Sequence, residues 1–145
     1  MTTDASGLPL AEFGFPGPLR DQLVAAILSG AKTSTTGVLA DYEYCGDPLP
    51  VAGDLAAVVD SAGRRVAIIE TTSAVVAPLS AVDAQHAIDE GEGYDDVPGW
   101  RAAHEEFWHD KEFRDAIGDP DFTVDEDTPL VLVRFRLAEV LDEPA

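Results

Sequence analysis

Residues 30–37 contain the side chains best suited to chemistry, in the order Gly-Ala-Lys-Thr-Ser-Thr-Thr-Gly. The lysine is conspicuous because the chain has only 9 lysines and arginines against 28 aspartates and glutamates. A lysine beside a threonine hydroxyl can activate that hydroxyl or stabilise an oxyanion, so Lys32, Thr33 and Thr35 are candidates for a catalytic or ligand-binding turn. The competing interpretation is a glycine cap after a helix, followed by an ordinary polar loop.

A second candidate group is acidic. Glu90 and Glu92 alternate with Gly91 and Gly93, and glycine allows a backbone to approach a ligand closely. The alternative is a solvated acidic turn. With Asp89 these carboxylates could hold a hard cation, but their spacing matches no recognised loop motif, so we expect no metal site. A phosphate loop and a dinucleotide fingerprint are both missing, and we expect no cofactor.

Aromatic and basic side chains follow this acidic stretch. Trp100 could stack on a base or belong to the core, and Arg101 lies next to it. His104 could act as a general acid or base, or simply complete a hydrogen bond. Arg134 and Arg136 point the same way along a predicted strand. They would bind phosphate or carboxylate if that face lines a cleft, and would be surface charges otherwise.

Hydrophobic periodicity predicts the elements that position these residues. We expect helices over residues 19–29, 82–90 and 98–117, strands over residues 55–59, 66–76 and 130–140, and an irregular segment or short strand over residues 38–50. Residues 1–18 are predicted to be an extended lead-in, and residues 19–141 a single domain. This order indicates an α+β domain, built as a small, partly closed β-barrel with flanking helices.

The formal net charge of −19 bears on the class of partner. A field of this sign opposes non-specific binding to phosphates and to anionic membranes, so a small substrate is easier to accommodate than RNA. The single cysteine excludes a disulfide within the chain. No apolar run approaches the length of a membrane span, and we expect a cytoplasmic protein without membrane contact. The sequence predicts no particular oligomeric state.

Taken together, these motifs resemble the ASCH domain family. The resemblance spans residues 19–140 and rests on motifs in a fixed order: Gly30-x-Lys32-Thr33-x-Thr35, Val51-x-Gly53-Asp54-Leu55, Ile69-Glu70-Thr71-Thr72, Glu90-Gly91-Glu92-Gly93 and Trp100-Arg101-x-x-His104-x-x-Phe107-Trp108.

The resemblance implies a PUA-like β-barrel with a cleft between the barrel and its helices. The family was proposed to bind RNA, some bacterial members look like ribonucleases, and a small branch hydrolyses the amide of acetylated cytidine. In that branch a lysine, a threonine and a glutamate act together. Carried over to this chain, they are Lys32, Thr35 and Glu90, with Glu92 as the rival glutamate. Many members have an arginine two residues after the threonine, where this chain has Gly37.

Our first hypothesis is therefore a hydrolase of a modified nucleoside or a similar small amide, with a Lys-Thr-Glu site. The alternative is an RNA-binding or ribonuclease module that recognises single-stranded RNA or a nucleotide, and a third is a binding module without catalysis. The residues expected to contact the substrate are Thr33, Glu92, Trp100, Arg101, His104, Arg134 and Arg136.

Overall fold

The computed structural model describes residues 7–141, and five strands and five helices lie within them. In chain order they are β1 (Leu10–Ala11), α1 (Pro18–Ser29), β2 (Ser34–Val38), α2 (Leu39–Cys45), β3 (Leu55–Val59), β4 (Arg65–Pro78), α3 (Ala84–Asp89), α4 (Val97–Trp108), α5 (Lys111–Ala116) and β5 (Pro129–Val140). The predicted α+β class is confirmed.

The strands form one sheet in the order β1-β3-β4-β5-β2. The pair β1–β3 is parallel and the other pairs are antiparallel. β4 and β5 bend at register shifts, which curls the sheet. The predicted partly closed barrel is nevertheless wrong, because β1 and β2 are opposite edges that do not pair within residues 7–141. The two residues of β1 offer too few backbone groups to close the sheet.

α1 begins at Pro18, which suits the first turn of a helix, and ends at Gly30, whose left-handed φ of 85° closes the last turn. Its buried face consists of Arg20, Leu23, Val24 and Ile27, spaced at helical intervals. This face packs with Phe13 on the sheet. The first six residues of the predicted lead-in lie outside the described residues, so the division at residue 18 stays a prediction.

A second core lies under the other helices and includes Trp100, Trp108, Leu79, Val38 and Leu130. The predicted helix over residues 98–117 is in fact two helices, α4 and α5. Asp110 separates them, because its side chain accepts a hydrogen bond from the Glu112 N–H and caps α5.

Two further predictions differ from the structure. Residues 39–45, expected to be irregular or a short strand, form α2, which ends at a left-handed Gly46. The supposed polar turn at residues 30–37 contains β2, whose pairing with β5 fixes the extended backbone. No helix in residues 7–141 is both long and apolar enough to cross a membrane.

Candidate active site

The turn after α3 lies directly against the chain that enters β2. Gly91 has a left-handed φ of 69°, and a Cβ at this position would lie 2.5 Å from the Ala31 carbonyl oxygen. Two residues after Ala31, the Thr33 N–H donates a hydrogen bond of 2.7 Å to the Asp89 carbonyl. A residue without a side chain at position 91 therefore lets the acidic turn approach Lys32.

Lys32 is buried, with 2% of its surface exposed. Its ammonium nitrogen Nζ donates to the Ser34 carbonyl at 2.9 Å and to the Glu90 carbonyl at 3.3 Å. It also lies 3.7 Å from Glu90 Oε1 and 3.6 Å from Glu92 Oε2. The Phe13 ring lies below it, with its centroid 5.8 Å from Nζ. A buried lysine between two carboxylates is the central feature of this site.

Glu90 is the most heavily hydrogen-bonded group in the cluster, and 1% of its surface is exposed. Its Oε2 accepts hydrogen bonds from the Thr36 hydroxyl and the Trp100 indole, both at 2.7 Å. Its Oε1 lies 3.2 Å from His104 Nε2, and Oε2 lies 3.3 Å from His86 Nε2. The carboxylate is held in one orientation from four sides.

The contacts of His104 fix its protonation. Its Nδ1 lies 2.8 Å from the Trp100 carbonyl, which can only accept, so this nitrogen donates. Its Nε2 faces the Glu90 carboxylate and donates as well when that group is ionised. An ionised Glu90 therefore favours the imidazolium form of the ring. Burial alone would lower the pKa of His104, but the hydrogen bond and charge of Glu90 raise it above its ordinary value.

The two glutamates have pKa values shifted in opposite directions. Burial would raise the pKa of Glu90, but hydrogen bonds from His104 and His86 outweigh burial and hold that pKa well below its usual range. Burial raises the pKa of Glu92, and the charge of Glu90 raises it further against the attraction of Lys32. Two carboxyl groups whose pKa values differ in this way can take different roles in acid–base chemistry. Glu90 stays ionised, and Glu92 can carry a proton.

The same cluster contains three potential metal ligands. Glu90, Glu92 and His104 each offer one ligand atom, and these atoms lie within 4.8 Å of one another. However, Lys32 Nζ lies within 4 Å of both carboxylates and already supplies a positive charge to them. A divalent cation beside this ammonium would meet strong repulsion, so the residues present do not fit a metal.

The family model described as "ASCH domain" matches residues 11–139. The chain belongs to the ASCH domain family.

Two solved structures resemble this ASCH domain. One is the ASCH domain from Lactobacillus crispatus JV V101, with a TM-score of 0.70 and 28% identity, covering 82% of this chain and 72% of that one. The other is a protein from Enterococcus faecalis V583, with a TM-score of 0.66 and 27% identity, covering 79% of this chain. The chain spans 66% of the length of that protein. No curated protein matches. These likenesses support the PUA-like fold.

The ASCH domain brings together five of the residues singled out from the sequence: Lys32, Glu90, Glu92, Trp100 and His104. Trp100 is fully buried, and its ring stacks on His104 with centroids 4.2 Å apart. Thr33 contributes the backbone bonds that join the acidic turn to β5.

Thr35 lies elsewhere. It pairs with Val133 of β5 and points to the opposite face of β2 from Thr36, because side chains alternate along a strand. Within residues 7–141 the Thr36 hydroxyl, and not that of Thr35, contacts Glu90.

The three arginines expected to contact substrate all have acidic partners in this ASCH domain. Arg101 pairs with Glu105 of α4 and with Glu126 of the segment before β5. Arg134 donates to Asp89 at 2.7 Å. Arg136 pairs with Glu70 and is largely exposed. None of these side chains contacts Lys32 among the described residues, so the ammonium next to Glu90 and Glu92 is that of Lys32.

The sequence reasoning missed Ser34, Thr36 and His86. The Ser34 hydroxyl donates to the His86 carbonyl at 3.0 Å, and Thr36 Oγ1 lies 2.7 Å from His86 Nε2. Two signals could have identified them. Residues 34 and 36 alternate as in a strand, and His86 precedes Glu90 by four residues, which places both on one side of a helical turn.

Proposed function

We propose that this ASCH domain hydrolyses the amide of a small, uncharged, nucleoside-like molecule at Lys32, Glu90 and Glu92. The observation that carries the proposal is the buried ammonium of Lys32, placed between one carboxyl that stays ionised and one whose pKa is raised. Charge that develops on a carbonyl oxygen during attack would meet a preorganised donor in a site largely closed to water.

The roles follow from the surroundings of each group. Lys32 would donate a hydrogen bond to the substrate carbonyl oxygen and stabilise the oxyanion. Glu92, whose side chain is 19% exposed, would accept a proton from the attacking water and pass it to the leaving nitrogen. A C–O bond forms, the C–N bond breaks, and the products are an acid and an amine. Glu90 would hold Lys32 and His104 in place.

The two threonines of β2 have different surroundings. The Thr36 hydroxyl donates to Glu90, so its proton is already engaged. Thr35, the residue that the family resemblance selects, lies on the other face of β2 and is half-buried. We assign Thr35 the positioning of the substrate, as the family resemblance implies, and Thr36 the support of Glu90.

The choice of an uncharged nucleoside as the ligand class rests on the family resemblance and on electrostatics. A domain with a net charge of −19, whose three candidate arginines are paired with acids, offers little to an extended phosphate backbone. An uncharged nucleoside avoids that repulsion and could enter where Glu92 and His104 are partly exposed. The same features make the RNA-binding alternative the weaker one.

The test is turnover of a panel of N-acylated nucleosides, with released acid and free nucleoside measured by chromatography. We expect turnover by the unmodified chain, and a loss of about 100-fold or more in Lys32→Met and in Glu92→Gln. Lys111→Met is the matched control, because Lys111 is an exposed lysine on α5 and its loss should leave the rate unchanged.

Three outcomes would contradict the proposal in different ways. Full activity of a folded Lys32→Met variant would remove Lys32 from the mechanism. Tight binding of a nucleoside without turnover would make the domain a binding module. Retention of single-stranded RNA, but of none of the nucleosides, would favour the RNA alternative.

A further inference from the structure

The second half of β4 is paired on one side only. β3 accompanies β4 as far as Glu70, and the last bonds on that side join Thr71 to Gly53 and Asp54, at 2.8 and 2.9 Å. Beyond this point β4 pairs with β5 alone, from Ser73 to Pro78. Residues 72–77, the edge strip, thus present a row of backbone N–H and C=O groups that no other strand contacts within residues 7–141.

The edge strip has limited protection: the register of β4 shifts between Thr71 and Ser73, and Pro78 follows the strip, but the strip itself carries no charge. Residues 71–78 read Thr-Thr-Ser-Ala-Val-Val-Ala-Pro and carry no charge, in a chain with 37 charged residues. Val75 is 55% exposed and Val76 is 47% exposed, and as neighbours on a strand they lie on opposite faces. Natural proteins block exposed edges with charges, bulges or covering segments, because an open edge recruits another strand. An uncharged edge with exposed valines on both faces is suited to strand addition.

We propose that the edge strip is a docking surface for a second copy of this chain, with the two strips paired antiparallel across a twofold axis. An antiparallel pair of identical strands is self-complementary, so one surface satisfies both partners. Charge limits where a second copy can dock. Two chains that each carry −19 repel one another wherever their acidic surfaces meet, and an uncharged strip is a place where they can approach.

Pairing would join two five-stranded sheets into one continuous sheet. It would satisfy the open backbone groups and bury the exposed valines of both copies. Ser73 and Val75 also line a groove of about 190 Å³ that reaches Leu132, Arg134 and His86. Side chains of the second copy on this face would cover its mouth. The inference rests on the sheet edge and does not depend on the proposed hydrolysis.

Salt dependence gives the first test, by sedimentation velocity of the full chain over a range of concentrations at low and high salt. We expect a monomer–dimer equilibrium that shifts toward dimer as salt rises, because the screening length falls from about 10 Å at 0.1 M to about 3 Å at 1 M and weakens the repulsion. A strictly monomeric chain at high concentration and high salt would overturn the proposal. The proposal would also be overturned if a basic peptide bound the strip in place of a second copy, with an affinity that falls as salt rises.

A charge at the strip gives the second test. Val75→Lys should weaken the dimer by about tenfold or more, since an edge lysine opposes strand pairing. The same change lowers the net negative charge, so a dimer held by non-specific contacts would be strengthened instead. Val140→Lys is the matched control, because Val140 is a valine of similar exposure, 61%, outside the strip. A dimer insensitive to Val75→Lys would refute the assignment.

Cross-linking gives the third test. In a Cys45→Ser background, which removes the exposed native thiol, single cysteines are placed at Ala74, Val75 and Val76 in turn. The position nearest the twofold axis should form an intermolecular disulfide rapidly, because opposed residues of an antiparallel pair lie about 4.5–5.5 Å apart between Cα atoms. Val140→Cys is the control. If no strip position cross-links faster than the control, the two strips do not pair.

Discussion

Gly91 and Ala31 are in backbone contact: a Cβ added to Gly91 would lie 2.5 Å from the Ala31 carbonyl oxygen. This contact joins the acidic turn after α3 to the entrance of β2, and it places Glu90 and Glu92 within 4 Å of Lys32. The site is therefore assembled by the close approach of two backbones.

Gly91→Ala should lower the free energy of unfolding by about 2–3 kcal/mol, because it adds a steric clash to the cost of a left-handed φ in a residue with a side chain. Gly93→Ala is the matched control. Gly93 also has a left-handed φ, of 94°, but a Cβ there meets nothing within 4 Å. Gly93→Ala should therefore lower the free energy of unfolding by about 1 kcal/mol. Urea unfolding of the two variants measures the difference, and equal losses would show that the contact with Ala31 is unimportant.

Glu90→Gln should destabilise the domain by about 3 kcal/mol or more. The amide cannot accept from Thr36, Trp100 and His104 at once, and it leaves the buried Lys32 without its ionised partner. The measurement is chemical denaturation at neutral pH. A loss below about 1 kcal/mol would mean that the hydrogen bonds around this carboxylate contribute little beyond packing.

Glu92→Gln, in contrast to Glu90→Gln, should stabilise the domain at higher pH. The pKa of Glu92 is raised in the folded state by burial and by Glu90, so its ionisation destabilises the fold. This penalty begins as pH rises above the ordinary value of 4.5 and is complete above the folded pKa. The variant should therefore gain stability relative to the unmodified chain as pH increases. A difference between their unfolding midpoints that is constant with pH would contradict this assignment.

His104→Gln should cost more stability at about pH 5.5 than at about pH 8.5. The pKa of His104 is raised in the folded state above its ordinary 6.5, mainly by Glu90 acting against burial. Its stabilising contribution is complete below the unfolded pKa and is lost as pH rises through the folded pKa. Urea unfolding of both proteins at the two pH values measures this difference. A larger loss at the higher pH would mean that His104 is neutral in the folded state.

Thr36→Val and Thr35→Val distinguish a residue that supports Glu90 from a residue that takes part in turnover. Thr36→Val removes a donor to buried Glu90 and should cost about 1–3 kcal/mol of stability. Thr35→Val should leave stability within about 1 kcal/mol, since within residues 7–141 its side chain lies on the other face of β2 from Glu90 and makes no hydrogen bond to it. If Thr35 positions the substrate, Thr35→Val should abolish turnover on the active nucleoside. Full turnover in Thr35→Val would show that another residue positions the substrate.

Much of the fold could be predicted from local signals. Pro18 and Gly30 delimit α1, the glycine-containing turn at residues 60–63 joins β3 to β4, and alternation identifies β5. The failures lie where local signals compete with long-range ones. β2 is built from Ser-Thr-Thr-Gly-Val, which resembles a loop in isolation, and β5 makes it a strand by pairing with it. The helix break at Asp110 depends on a cap that periodicity does not reveal.

The sequence by itself determined the chemical inventory and the family: a scarce lysine, an acidic glycine turn and a Trp-Arg-His helix in a fixed order. Only the tertiary structure decided which of these groups meet. It brought Glu90 and Glu92 to Lys32, paired the three arginines with acids, and placed Thr36 rather than Thr35 against Glu90. The reason is physical. Which face of β2 carries the site, and how closely the turn at Gly91 approaches it, depend on strand register and backbone contact between segments nearly 60 residues apart.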